Sequence, residues 1–138
     1  METIEIPFAK KVGIKKNKDG ILELNYDESN QNHLKTMHAS ALFTLAESAS
    51  GDALQRQFPE LVGKVAPVVR DSQIKFKKPA SSHVLALPSI TDESLSKFKE
   101  QFKRKGRSFI AVEVTVQDSE NSVICIGTFN WFVQSIEQ

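Results

Sequence analysis

The chain has 138 residues, 40% of them apolar and 25% charged, with a formal charge of +1. This composition excludes a disordered or fibrous chain, and the near-neutral charge excludes a global attraction to nucleic acid or anionic membrane. One cysteine, Cys125, excludes an internal disulfide framework and fits a reducing compartment.

The N-terminal "METIEIPFAKK" has too short an apolar run for a secretory signal. No segment approaches the roughly 18 consecutive apolar residues of a membrane span. The expectation is a cytoplasmic protein with one domain over residues 1–138. "GILELNY" alternates Leu22, Leu24 and Tyr26 against Glu23 and Asn25, which predicts a strand over residues 21–26. The turn signal "NKDG" before it predicts a hairpin with "KVGIK". A helix follows from about His38 to Gln57, ended by Pro59. A strand over about 67–78 is expected to be irregular near Pro67 and closed by Pro79, and "HVLALPSI" reads as another, stopped at or soon after Pro88. "TDESLSKFKEQFKRKG" sets Leu95, Phe98 and Phe102 at i, i+3 and i+7, between an N-capping Thr91 and a terminal Gly106. Its acids lie in the first turn and its bases in the last, so a second, amphipathic helix is marked at both ends. Residues 108–133 alternate about a short polar connection and predict a long antiparallel hairpin, with Cys125, Phe129, Trp131 and Phe132 as packing residues. Strands arranged around one buried helix predict an α+β fold with an antiparallel sheet wrapped on that helix.

The first long helix carries an isolated acid. On a helical wheel Leu42, Leu45, Ala46, Ala49 and Ala53 form a core stripe, and Ser40, Thr44, Glu47 and Gly51 form a narrow stripe of small residues opposite. No cation lies three or four residues from Glu47, whereas Asp52 has Arg56 at i+4 and reads as a surface acid. Two readings fit Glu47: it solubilises an exposed face, or it is a carboxylate of raised pKa available for chemistry. The amides of Ala39 and Ser40 open the helix and suit a developing oxyanion. A carboxylate and such a helix end could together cleave an acyl bond.

At this point "NHLKTMHASALFTLAE" resembles the Asn-x5-His-Gly-Gly-x6-Asp/Glu motif of hotdog-fold acyl-CoA thioesterases, in the phenylacetate-pathway (PaaI-type) and 4-hydroxybenzoyl-CoA branches. "IKFKKPA" is similar to that family's strand ending in Pro-Ala. "KRKGRSFIAVEVTVQD" resembles its Lys/Arg-x-Gly-Lys/Arg-Ser/Thr turn and following strand, and "GTFNWFV" its last strand. Two departures stand out. Ala39-Ser40 replaces Gly-Gly, and Val69 stands where some relatives carry a Ser or Thr.

The resemblance implies a hotdog fold and hydrolysis of an acyl-coenzyme A, with Glu47 as nucleophile or general base. It implies the Ala39 amide as oxyanion donor, with Asn32 and His38 orienting the water or carboxylate and holding the loop into the helix. His38 reads equally well as a purely structural residue at the helix start. Lys105 and Arg107, with Ser108 in the same turn, are the candidates for the coenzyme A phosphates, and Lys77 and Lys78 are secondary ones. A homodimer or dimer of dimers is implied, with the site shared between subunits. Coenzyme A enters as part of the substrate, and no separate cofactor, nucleic acid or membrane is expected; no metal is expected either, since His33, His38 and His83 lack metal-ligand spacing. The alternative reading is a non-catalytic hotdog module that binds acyl-CoA or another acyl ligand.

Overall fold

The structure, a computed structural model, describes residues 1–136. In chain order it comprises helix α1 (Pro7–Val12), strands β1 (Lys15–Lys16) and β2 (Leu22–Leu24), and the long helix α2 (Ala39–Gln57). Strands β3 (Val65–Phe76) and β4 (Val84–Ser89), helix α3 (Asp92–Lys105), and strands β5 (Arg107–Asp118) and β6 (Val123–Ser135) follow. All six strands join one antiparallel sheet in the order β1-β2-β4-β5-β6-β3. This is the α+β arrangement that the alternation and the two helical periods predict.

Local signals fix the helix ends. The Thr91 hydroxyl accepts the Ser94 amide at 3.1 Å, and Gly106 closes α3 in the left-handed conformation at φ 72°. The α3 apolar positions seat Phe98, 1% exposed, between Phe58 and Phe102, with ring centroids 4.9 and 5.5 Å away. The hairpin sends Ile110, Val112, Val114 and Val116 of β5, with Ile124, Phe129 and Val133 of β6, into the core beneath α2. Leu42, Leu45, Ala46 and Ala49 meet them from the helix side, all buried. Cys125 is fully buried and burial pushes its thiol up to about 11, so it packs as a small apolar residue.

Three local expectations change. The segment before "NKDG" is mostly helical: Pro7 starts α1, Gly13 ends it at φ 97°, and only Lys15–Lys16 pair with β2. The irregularity in β3 falls at Arg70, between Val69 and Asp71, and not at Pro67, which pairs with Val133. Asp52 is not a surface acid. It is 2% exposed because the N-terminal segment folds back across α2 and covers it. The Thr3 hydroxyl donates to Asp52 Oδ1 at 2.9 Å, and Lys16 Nζ approaches the same oxygen at 3.3 Å. The expected Arg56 pair also forms, with Nε 3.3 Å from Oδ2.

Candidate functional site

The start of α2 is built by a loop that recruits the polar residues around it. Asn32 Oδ1 accepts the amides of Leu34 and Thr36 at 2.9 and 3.1 Å, and its Nδ2 donates to the Thr36 hydroxyl at 2.8 Å. The Asn32 side chain is therefore committed to shaping the entry into the helix. His38 is the N-cap: its Nδ1 accepts the Ser40 amide at 2.9 Å, which requires the neutral ring with its proton on Nε2. That bond uses the Ser40 amide. The Ala39 amide, at the first helical position, has no acceptor among the described residues, and Ala39 itself is exposed.

Glu47 lies two turns further along α2. Its carboxylate has no hydrogen bond or ion pair among the described residues, and burial pushes its carboxyl above the ordinary range. A cavity of about 350 Å³ opens beside it. Glu47, Ser48, Gly51 and Leu54 form the α2 wall, and Phe58, Phe98 and Trp131 supply aromatic surface. The N-terminal segment closes another side through Ile6, Phe8 and Ala9.

The small stripe on α2 thus has a partner inside this chain. Thr44 is buried with its hydroxyl donated to the Ser40 carbonyl at 2.8 Å, and Gly51 lies under the Trp131 ring. Trp131 Nε1 donates to the Ser50 hydroxyl at 2.9 Å, and that hydroxyl donates to the Glu47 carbonyl at 2.6 Å. The indole is therefore fixed against the turn of helix that carries Glu47.

The basic turn divides. Lys105 and Arg107 flank Gly106 and are exposed, able to meet an anion. Lys77 and Lys78 are also exposed, at the far end of β3. Ser108 is corrected: it is 2% exposed and its hydroxyl donates to Gln101 Oε1 at 2.6 Å. The β5 alternation that buries Ile110 and Val112 turns Ser108 inward as well, so its hydroxyl is unavailable to a phosphate. Lys64, which the sequence did not single out, lies beside this turn. Its carbonyl accepts the Ile136 amide at 3.0 Å while the Gly106 carbonyl accepts the Ser135 amide at 2.8 Å.

A family model described as a domain of unknown function (DUF4442) matches residues 12–133. No curated protein matches the chain. Several solved structures do. A Pseudomonas aeruginosa protein described as of unknown function and a probable thioesterase is 22% identical, with a TM-score of 0.81 over 96% of this chain and 91% of that one. A Bacillus halodurans protein solved with CoA is 23% identical, with a TM-score of 0.68 over 96% and 85%. The Escherichia coli PaaI protein from the phenylacetic acid degradation operon is 16% identical, with a TM-score of 0.67 over 89% and 85%. The architecture shared with them is the hotdog fold, a sheet wrapped on one central helix. No helix of the described residues is long and apolar enough to cross a membrane.

Proposed function

We propose that this chain, which belongs to the DUF4442 family and has the hotdog fold, hydrolyses the thioester of an acyl-coenzyme A. One observation carries the reading: an unpaired, desolvated carboxylate on the central helix, at the wall of an apolar cavity. Glu47 attacks the thioester carbonyl or takes the proton of the water that does, and the Ala39 amide receives the developing oxyanion.

These two groups do not serve one thioester from a single chain. Eight residues separate them, roughly 12 Å along the helix axis. Reacting groups need to lie within about 3 Å of the atoms they act on. A second copy resolves this, with one subunit giving the amide and the other the carboxylate. The free edge of strand β3 supports this reading: among the described residues it pairs only with β6, and nine of its twelve residues are exposed. Coenzyme A as the carrier is supported by the Bacillus halodurans structure with CoA and by the exposed Lys105 and Arg107.

Binding without turnover is the second reading. It is favoured by the His38 cap, which uses the Ser40 amide and leaves one helix-end donor in place of two. The test is thiol release from a panel of acyl-CoAs by the wild type and by Glu47→Gln. The expected result is turnover in the wild type and a loss of about 10²- to 10⁴-fold in the variant. Equal rates in both would remove Glu47 from the chemistry.

A further inference from the structure

The cavity beside Glu47 has the composition of a site for the tail of a molecule. Leu54, Phe58, Leu61, Val65, Phe98 and Val133 line it, and most of its polar neighbours are already engaged. Thr3 donates to Asp52, Thr44 donates to the Ser40 carbonyl, and Gln55 Nε2 donates to the Met1 carbonyl at 3.1 Å. Glu47 and Ser48, neighbours on α2, are left to meet a polar head. The cover is built into the fold. Thr3 and Lys16 tie the N-terminal segment to the buried Asp52, and Ala9, 3% exposed, sits beneath it in the core.

We propose that this cavity holds the acyl tail of the substrate, a linear aliphatic chain of on the order of ten to fourteen carbons with its carbonyl end at Glu47. The length follows from volume: an apolar cavity of roughly 150 Å³ in another protein accommodates benzene, so about 350 Å³ accommodates roughly twice as many carbons. No unengaged polar side chain lies on the wall away from α2 among the described residues, so a hydroxyl or amide on the tail would be buried without a partner and the site favours hydrocarbon. The inference rests on the thioester reading for the identity of the head, and on the cavity alone for the tail.

The experiment keeps those two apart. Primary alcohols from six to sixteen carbons are neutral, carry no coenzyme A and undergo no hydrolysis. Trp131 is the chain's one tryptophan and lines the cavity, so its fluorescence reports their entry. Affinity is expected to rise about fourfold per added methylene and to level off near ten to fourteen carbons. Val65→Phe narrows the cavity and moves that plateau to shorter chains; Val62→Phe, at an exposed wall position, does the same with less risk to folding. Acyl-CoA turnover, measured in parallel, is expected to peak at the same chain length and to move with it. Alcohols that leave Trp131 unchanged, or a plateau that neither folded variant moves, would overturn the tail site. Alcohol binding with the expected plateau but no acyl-CoA turnover would leave the tail site standing and remove the thioesterase reading. Turnover best with short or aromatic acyl groups and unaffected by both variants would do the reverse.

Discussion

The Trp131 ring lies so close to Gly51 that a Cβ on the glycine would stand 3.1 Å from two of its carbons. The indole has little freedom to withdraw, because Nε1 is bonded to Ser50 on the same helix and the residue pairs with Val69 and Ile110 in the sheet. A small residue at position 51 is therefore what lets β6 approach the helix beside Glu47.

Gly51→Ala sets two effects against each other. Alanine favours the helix by about 1 kcal/mol, and overpacking against a held ring costs about 1–3 kcal/mol. The expected net result is a loss of about 1 kcal/mol with altered Trp131 fluorescence, read by urea unfolding. A more stable variant would show that the ring yields.

Glu47→Gln is expected to gain stability as well as lose turnover. Desolvation raises the Glu47 carboxyl in the folded chain above its unfolded value, so the folded state binds the proton more tightly. The stability tied to that proton is complete below the unfolded pKa and is lost as pH rises through the folded one. Thermal melts should show the variant more stable than wild type at neutral pH, with the difference closing as the pH falls below the ordinary carboxylate range. A constant difference across pH would contradict this.

Ala39→Pro removes the candidate oxyanion amide at a helix position that tolerates proline. His38, at φ −64° and ψ 137°, already has the extended conformation a following proline demands. Folding should persist while turnover falls about 10²- to 10³-fold. Mixed with Glu47→Gln under conditions of subunit exchange, it should restore roughly a quarter of wild-type activity, since half of the dimers are hybrids with one intact site of two. Two inactive variants that stay inactive together would overturn the site shared between subunits.

Arg107→Ala is expected to raise KM for acyl-CoA about tenfold with kcat unchanged, as loss of a phosphate contact would. Thioesters of pantetheine, which lack the nucleotide phosphates, should be insensitive to it. Ser108→Ala should change thermal stability through the lost Gln101 bond and leave both KM values alone. A KM effect confined to Ser108→Ala would reverse these assignments.

Thr3→Val removes the hydroxyl that ties the N-terminal segment to Asp52 while keeping the shape of the side chain. A loss of about 1 kcal/mol is expected, with faster proteolytic cleavage in the first residues. Unchanged cleavage would mean that packing of Ala9 and its neighbours holds the segment by itself.

The parts of the fold legible in the sequence were those whose signals are local. Thr91, Gly106, the Phe98 periodicity and the alternation of Ile110 to Val116 each specify their element within a few residues. The unpaired state of Glu47 is legible in the sequence, since no cation lies within a helical turn of it. Asp52 reads as a surface acid because its i+4 partner Arg56 is the mark of a surface pair. That pair does form, but Thr3 and Lys16 arrive from another part of the chain. The cavity was invisible for the same reason, since its walls come from residues as far apart as Ile6 and Val133. Ser108 was within reach: its parity with Ile110 already placed it on the inward face.

The strand order also sets a timetable for synthesis. Among the described residues β3 finds its neighbour only in β6, where Val65 pairs with Ser135 and Phe76 with Cys125. At the usual pace of translation the ribosome needs roughly 2 to 10 s to pass from the end of β3 to the start of β6. During that interval β3 has both edges open, and the α2 face destined for β5 and β6 is bare. The nascent chain therefore carries its greatest exposure to mispairing and to chaperone capture late, and loses it as the last strand emerges.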